Sequence, residues 1–340
     1  MNSKLVSFII PTLNSGSVLN SCLHSIISQN LPSSDYEIII ADGGSTDNTL
    51  KIAQKYKCKI IKNTLKTAEA GKAVGVKNSH AKYICLIDSD NILPQKNWLK
   101  KMLYPLEKNQ QIIGSEPIKF TYRPKSGIIE RYSALIGAND PYAFVTGVFD
   151  RQNYIDGRWT HLNIDQIDQH QYILITLKPH EPIPTIGANG TIFRSSFLKK
   201  NLHSDYLFDI DIISLVLKQT NQPLLFAKVK VGIIHTFCES SIKKFIKKQS
   251  RRLTDYYIYQ NQRQYNWNTS LKSGPITFIF YTLLIFPPIV DSIIGFIRRP
   301  DLVWLLHPFF CWLTLVIYIW VTLKHRLGLL HPISRTSWRQ

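Results

Sequence analysis

The residues best placed for chemistry in this chain are carboxylates that stand where apolar runs end. Leu86-Ile87-Asp88-Ser89-Asp90-Asn91 closes a short run of strand-forming residues that begins at Tyr83. Two carboxylates two residues apart, beyond the carboxyl end of a strand, can share a hard cation and a ribose-diphosphate. Mg2+ or Mn2+ suits such a pair, since each takes oxygen ligands and leaves positions free for substrate phosphates. An acidic turn that caps the next helix would be spelled the same way, so the pair has to be read with its surroundings. The run 5–10 closes in Pro11-Thr12-Leu13-Asn14, and the run 36–41 closes in Asp42-Gly43-Gly44-Ser45-Thr46-Asp47. A carboxylate at Asp42 can accept the N–H of a pyrimidine or guanine ring, and the glycines beside it let backbone approach a ligand closely. Asp47 reads instead as turn and helix-cap chemistry. Ala70-Gly71-Lys72-Ala73 opens a helix with a cation, Lys72, that either touches a diphosphate or lies exposed. The candidate nucleotide-binding residues are therefore Pro11, Thr12, Asn14, Asp42, Lys72, Asp88, Ser89 and Asp90, with Asp88 and Asp90 as metal ligands.

These groups work together only if the chain brings them to one edge, and the surrounding pattern predicts that it does. Residues 5–10, 36–41, 59–62 and 83–87 are short β-rich runs of the kind buried in parallel sheets. Residues 15–31 place Val18, Leu19, Cys22, Leu23, Ile26 and Ile27 on one helical stripe, and 46–56, 70–81 and 97–107 read as further helices. Strand and helix alternate at short spacing, which predicts βαβ units and a doubly wound α/β sheet. Residues 112–185 mix β-like pieces with turn residues and show no clear period. A helix over 203–219, a strand over 224–234 and a basic amphipathic helix over 240–260 are expected beyond them.

The formal charge is +18 over 340 residues, with 41 Lys and Arg. Nucleic acid, anionic lipid and phosphorylated substrates all suit that balance, and its position decides. Lys243, Lys244, Lys247, Lys248, Arg251, Arg252, Arg263 and Lys272 face the single acid Asp255 over 243–272. Two apolar stretches follow, 275–297 and 302–323, each close to the ~20 residues a membrane helix needs. A basic belt abutting them predicts a membrane face, with membrane lipids as partners and no nucleic acid. A nucleic-acid platform interleaves basic and aromatic residues. Tyr256, Tyr257 and Tyr259 lie near Arg251 and Arg252, but that reading leaves the acidic array and the apolar tail unexplained. Pro287-Pro288 and Asp291 interrupt the first stretch and predict a kinked, re-entrant or interfacial segment. The connector Arg298-Arg299-Pro300-Asp301 works against a simple two-pass hairpin. Lys324, His325, Arg326, Arg335 and Arg339 in the tail favour a cytosolic face of the cytoplasmic membrane. The N-terminal run has no small-residue cleavage site and reads as a first strand, not a signal peptide. Five scattered cysteines without CxxC spacing argue against a disulfide framework or a zinc site.

FIIPTLN, IIIADGGSTDNT and AGKAVGVKNSHAKYICLIDSDNILP resemble, in order, spacing and strand context, the nucleotide-binding half of the family 2 glycosyltransferases of GT-A fold, across residues 5–100. The resemblance implies that Asp42 reads the base, Asp88 lies near ribose and Asp90 binds the metal. The double Asp frequent after the second strand is Asp42-Gly43 here. The second half is similar to the family more loosely. Gly187-Ala188-Asn189-Gly190 resembles its Gly/Asn-rich acceptor loop. Phe208-Asp209-Ile210-Asp211 stands where the family has Glu-Asp, the Asp being the catalytic base. Two registers fit, so Asp209 and Asp211 are both candidates; such a base has only to take a hydroxyl proton as the C1–O bond to the nucleotide breaks. His235 would complete the metal site. Gln249-Ser250-Arg251-Arg252 partly resembles the Gln-x-x-Arg-Trp element of membrane-bound processive members. It lacks the Trp, so polymerisation is not implied; Arg251 and Arg252 either line the acceptor side or meet lipid phosphates.

What the resemblance implies is an inverting, metal-dependent enzyme. It would move a sugar from a UDP- or GDP-linked nucleotide-sugar, and the position of the basic belt and apolar stretches points to a lipid-linked or membrane-delivered acceptor in glycolipid, polysaccharide or cell-envelope glycan synthesis. A polyprenyl-phosphate sugar transferase, whose anionic acceptor needs no base, is one alternative. A non-catalytic nucleotide-sugar-binding membrane protein is the other, kept open by the missing Glu. The expected organisation is a nucleotide-sugar-binding half over 1–115, an acceptor-binding and catalytic half over 116–238, and a basic interface segment over 239–272. Two apolar membrane segments over 273–325 and a basic tail over 326–340 would follow.

Overall fold

The computed structural model describes residues 4–263 and 274–331, so Lys272, Arg335 and Arg339 of the expected basic segments lie outside the described residues. The first third alternates as its pattern predicts. Its elements are β1 (Val6–Thr12), α1 (Gly16–Ile27), β2 (Tyr36–Asp42), α2 (Thr49–Lys55), β3 (Lys59–Lys62), α3 (Ala68–Asn78) and β4 (Tyr83–Leu86). Alternate residues of β1 serve opposite faces. Val6, Phe8 and Ile10 pack with Leu19, Leu23 and Ile26 of α1, while Ile9 packs with Ala73 and Val76 of α3. A short β5 (Asn91–Ile92), α4 (Trp98–Lys108) and β6 (Ile112–Phe120) come next.

The stretch without a sequence period contains α5 (Ile128–Ile136), α6 (Pro141–Val145), β7 (Asp165–Asp168) and β8 (Tyr172–Leu177). Then follow β9 (Thr191–Arg194), α7 (Ser195–Asn201), α8 (Asp209–Thr220) and β10 (Leu224–His235). The sheet order is β3-β2-β1-β4-β9-β6-β10-β8-β7, with β5 paired to β10. β3, β2, β1 and β4 run parallel, as do β6 and β10; β9 joins the two groups antiparallel to both its neighbours. One mixed sheet therefore runs through both expected halves. α8 begins six residues later than the pattern predicts. Ser204 closes a local turn onto Tyr206, and the Leu207 N–H donates to the Glu69 carbonyl at 3.0 Å, which holds this approach extended along α3.

α9 (Ile242–Tyr259) is the basic helix. The first apolar stretch is two helices, α10 (Gly274–Leu283) and α11 (Phe286–Arg298), bent by 83°. Ile285, at the break, has φ +60°, a backbone that β-branched residues rarely adopt. Pro287 and Pro288 sit in the first turn of α11, where a missing N–H costs nothing, so they start a helix rather than kink one. Asp301 then caps a short 3-10 turn over Leu302–Leu306, and α12 (His307–Arg326) closes the described chain. Trp304 and Phe310 share a core with Ile129, Tyr132 and Leu135 of α5 and with Phe245 of α9. The apolar helices are thus folded onto the body of the protein.

Candidate active site

Parallel pairing brings the carboxyl ends of β1, β2 and β4 to one edge, where Thr12 lies opposite Asp42 and Ile9 opposite Leu86. Asp42 is 5% exposed. Its Oδ1 accepts from Thr12 Oγ1 at 2.9 Å and Ser45 Oγ at 2.5 Å, and its Oδ2 accepts from the Gly44 and Ser45 N–H groups at 2.8 Å each. Those donors fill the roughly four acceptor positions of a carboxylate. Asp42 thus fastens the loop 43–46 to β1, and accepting the N–H of a base requires one of these donors to give way. Asn14, at φ +50°, ties the same two strand ends together: its N–H donates to Ser45 Oγ, and its Oδ1 accepts from the Thr46 N–H, both at 2.8 Å. Asp47 accepts from Gly16 and Thr49, the turn chemistry expected of it. The side chain of Pro11 lies against Gly71 of α3, where a Cβ would come within 2.9 Å of it.

Beyond β4 the chain turns through Asp88-Ser89-Asp90. The Asp88 N–H donates to Asn91 Oδ1 at 3.1 Å, and Ser89 Oγ donates to Ser15 Oγ at 3.1 Å, so the turn is braced against the start of α1. β5 pairs with β10 so that Asn91 lies opposite His235. That register carries His235 Nε2 to 3.5 Å from Asp90 Oδ2. Thr236 holds the Asp90 carbonyl through its N–H at 2.9 Å and its hydroxyl at 3.0 Å. From α9, Lys248 reaches Asp90 Oδ2 at 3.8 Å, with its ammonium 4.4 Å above the Phe237 ring. Lys72, buried in α3, pairs with Asp209 Oδ1 at 3.1 Å.

These charges act on one another. Burial pushes the Asp88 carboxyl above its ordinary range and Asp90 adds to the push, against Lys72 and Lys248. Burial works to lower Lys72, but Asp209, Asp88 and Glu69 outweigh it and its pKa is raised. Lys248 is lowered, by burial first and by Arg252 next, although Asp90 opposes this. Among the described residues no three His, Cys, Asp or Glu side chains gather into a metal cage. Asp90 and His235 are the pair that could hold a metal ion. His235 is 7% exposed between the Phe120 and Phe237 rings, and neither of its ring nitrogens has a hydrogen-bond partner. A buried polar group left alone costs about 1–3 kcal/mol. An imidazole kept that way beside a carboxylate is chemically suited to Mg2+ or Mn2+.

The loop Gly187-Ala188-Asn189-Gly190 hangs between the end of β4 and Asp209. Asn189 Oδ1 accepts from Asn91 Nδ2 at 3.1 Å, and the Gly190 N–H donates to the Leu86 carbonyl at 3.0 Å. Gly190 has φ +77°, and a Cβ there would meet Ile233 Cδ1 at 2.6 Å, so only glycine fits. A Cβ on Gly187 would sit 3.3 Å from Asp209 Oδ2. Ala188 is buried. Beneath the loop lies a feature that sequence reasoning missed. Glu116 of β6 pairs with Lys228 of β10 and with Arg151, at 2.6 Å each; Arg151 also pairs with Asp150, and all but Asp150 are fully buried. Arg151 Nη2 donates to the Asn189 carbonyl at 3.4 Å, and Thr191 Oγ1 to Glu116 Oε1 at 3.3 Å. Burial alone would raise Glu116, but Arg151 and Lys228 outweigh it and lower its pKa. The available signal was charge inside two largely apolar strands, Glu116 in β6 and Lys228 in β10.

Asp209 and Asp211, two residues apart in the first turn of α8, part company. Asp209 faces Lys72 and the loop. Asp211 is held by Arg263, whose Nε and Nη2 donate at 2.7 and 2.6 Å, with the guanidinium 4.6 Å above Phe208. Arg252 reaches Asp140 at 3.7 Å and lies over the Phe237 ring, so it borders Lys248 rather than the 187–190 loop. Arg251 is half-buried beside it on α9. Lys248, Thr236 and Asn91 join the site without having been singled out by their types.

The family model described as glycosyl transferase family 2 matches residues 7–201. The chain is 36% identical over 116 residues to the poly(ribitol-phosphate) beta-N-acetylglucosaminyltransferase TarP of Staphylococcus aureus, covering 32% of this chain and 36% of that protein. It is 27% identical over 135 residues to the glycosyltransferase AglE of Haloferax volcanii, covering 38% and 44% of the two chains. The matches thus span less than half the length of these relatives. Among solved structures, the mannosyltransferase PcManGT from Pyrobaculum calidifontis, in complex with GDP-Man and Mn2+, shares the fold with a TM-score of 0.54 at 10% identity, over 94% of this chain and 88% of that one.

Proposed function

This chain belongs to glycosyl transferase family 2, and from that footing we propose that it moves a sugar from a nucleoside-diphosphate donor to an acceptor hydroxyl in a cell-envelope glycan, in one inverting displacement. The observation that carries the reading is the meeting of Asp88, Asp90, His235, Lys72 and Asp209 at one strand edge. The acceptor oxygen attacks C1 of the sugar, the C1–O bond to the diphosphate breaks, and the acceptor proton passes to the Asp209 carboxylate. Asp209 takes that role and Asp211 does not, because Asp211 is committed to Arg263 through two hydrogen bonds. Lys72, 3.1 Å from Asp209, is the cation nearest the base and the one in reach of a diphosphate beside it. Asp90 and His235 would hold Mg2+ or Mn2+, which would supply positive charge to the departing diphosphate. Asp88, whose ionised form burial disfavours, suits a ribose hydroxyl.

A relative that acts, by its name, on poly(ribitol-phosphate) supports an envelope polymer as acceptor, and a net charge of +18 suits an anionic one. The basic α9 beside apolar α10, α11 and α12 supports attachment to the cytosolic face of the cytoplasmic membrane, where a lipid-linked or membrane-delivered acceptor would arrive. The test is incubation of the detergent-purified full chain with UDP- and GDP-sugars and Mn2+, with released nucleotide measured. One donor is expected to turn over. No release from any of them, by a protein that is folded by circular dichroism, overturns the proposal.

A further inference from the structure

We propose that the C-terminal apolar helices lie in one leaflet of an anionic membrane, parallel to its surface, and do not cross it. The inference rests on the membrane attachment proposed above and specifies its mode. α10 has 10 residues and α11 has 13, so they are about 15 and 20 Å long against a hydrocarbon core of about 30 Å. The 83° bend between them prevents their adding up to one span. Of the three apolar helices among the described residues, only α12, with 20 residues, is long enough.

Both ends of α12 are fastened to the same body. Just before it, Asp301 accepts from Arg131 Nη1 at 2.8 and 3.0 Å and from Tyr122 OH at 2.7 Å, and in its first turn His307 Nδ1 lies 2.8 Å from Tyr132 OH. Those partners belong to α5 and the end of β6. In its last turns Thr322 Oγ1 lies 2.9 Å from Tyr257 OH, and the His325 ring stacks on the Tyr257 ring at 4.1 Å and 10°. Tyr257 belongs to α9, which packs along α12. Its first two turns carry the exposed Lys243, Lys244 and Lys247, and at its other end Tyr259 packs beside Tyr206 and Phe208 of the catalytic body. Charges of that kind are costly inside hydrocarbon, so the start of this helix stays at the depth of water, and its end stays with the body. A helix held at its first and last turns by one water-facing body cannot deliver those turns to opposite sides of a bilayer.

The side of α12 that faces away from the body is apolar. Phe309, Trp312, Val316, Ile319 and Leu323 recur at three- and four-residue spacing, all exposed, while Phe310, Cys311, Leu315 and Val321 are buried against the protein. Cations rim the stripe: Lys324 lies 5.0 Å above the Trp320 ring, Arg326 is exposed beside it, and Arg298 and Arg299 are exposed at the end of α11. An apolar stripe edged by aromatics and cations is the complement of an anionic leaflet surface.

The full chain carrying Leu329→Cys, exposed just past the end of α12, or Lys125→Cys on the catalytic body, is prepared in sealed inside-out membrane vesicles and treated with a membrane-impermeant maleimide. The parent chain gives the background from its own thiols. Both variants are expected to label from the same face. Labelling of Lys125→Cys alone, with Leu329→Cys protected until detergent opens the vesicles, shows a crossing by α12 and overturns the inference while attachment stands. Purified protein is also floated with vesicles of equal parts phosphatidylglycerol and phosphatidylcholine. Trp312→Lys with Ile319→Lys is expected to lower the bound fraction about tenfold with an unchanged thermal melt. Flotation equal to the parent's overturns the inference, and failure of the parent itself to float overturns attachment along with it.

Discussion

On the donor side of the sheet, the working groups arrive on consecutive residues just past a strand. On the acceptor side they arrive one at a time, from β6, β10, the stretch around Arg151 and the first turn of α8. The donor side combines short-range bonds, Asp42 with Ser45 and Gly44 and Asp88 with Asn91, with hydroxyl bonds to neighbouring segments such as Thr12 to Asp42 and Ser89 to Ser15. The acceptor side is held by a buried charge network, Glu116 with Lys228 and Arg151, whose members lie far apart in the chain. A local turn needs only its own few residues and a strand end to form. A buried ionic network needs the whole sheet assembled, and losing one member leaves its partner charged and dry.

The difference can be broken or sharpened by substitution. Asp90→Ala removes the carboxylate shared by His235 and Lys248; nucleotide release is expected to fall about a thousandfold, some 4 kcal/mol, with little change in the thermal melt. A comparable loss of folding stability instead would mean that Asp90 is structural. Glu116→Gln should differ in losing stability as well as activity. It removes the carboxylate shared by Lys228 and Arg151 and is expected to cost about 3 kcal/mol of stability in denaturant melts, with activity lost as the 187–190 loop loosens. Asp209→Asn should lower turnover about a hundredfold, some 2.7 kcal/mol, with the Michaelis constant for donor little changed. Asp211→Asn should instead act through Arg263 on stability; equal turnover losses in the two variants would contradict the assignment of the base. The smallest effect concerns Asp88. Its pKa is raised in the fold, so its favourable contribution is present only in acid and is lost as pH rises through the folded value. Asp88→Asn should therefore stabilise the ligand-free protein near neutral pH by on the order of 1 kcal/mol, and the gain should vanish in acid. Melts across pH decide it.

The same contrast explains how far the sequence could be read. The strands and helices of 5–108 follow from period and punctuation, and Asp42, Asp88 and Asp90 stand at strand ends because open parallel sheets present their ligands there. Residues 112–185 hid their elements because Glu116 interrupts β6 with a charge, and the partners that make that charge tolerable, Arg151 and Lys228, lie 35 and 112 positions on. The choice between Asp209 and Asp211 could not be made from spacing, since it depends on Arg263, which follows the end of α9. The start of α8 was misplaced for a related reason: the Leu207–Glu69 bond that holds 203–208 extended is a tertiary contact. Pro287-Pro288 marked the break in the apolar stretch, although the left-handed residue is Ile285 and the prolines belong to the helix that follows.

α9 spans the two sides that the comparison separates. Lys248 on one of its early turns leans on Asp90, and Arg263, four residues past its end, grips Asp211. One helix and the turn that follows it therefore rest a finger on each bank of the proposed reaction, and α12 lies along its back. A substitution that shifts this helix is expected to be felt on both banks together rather than on either in isolation.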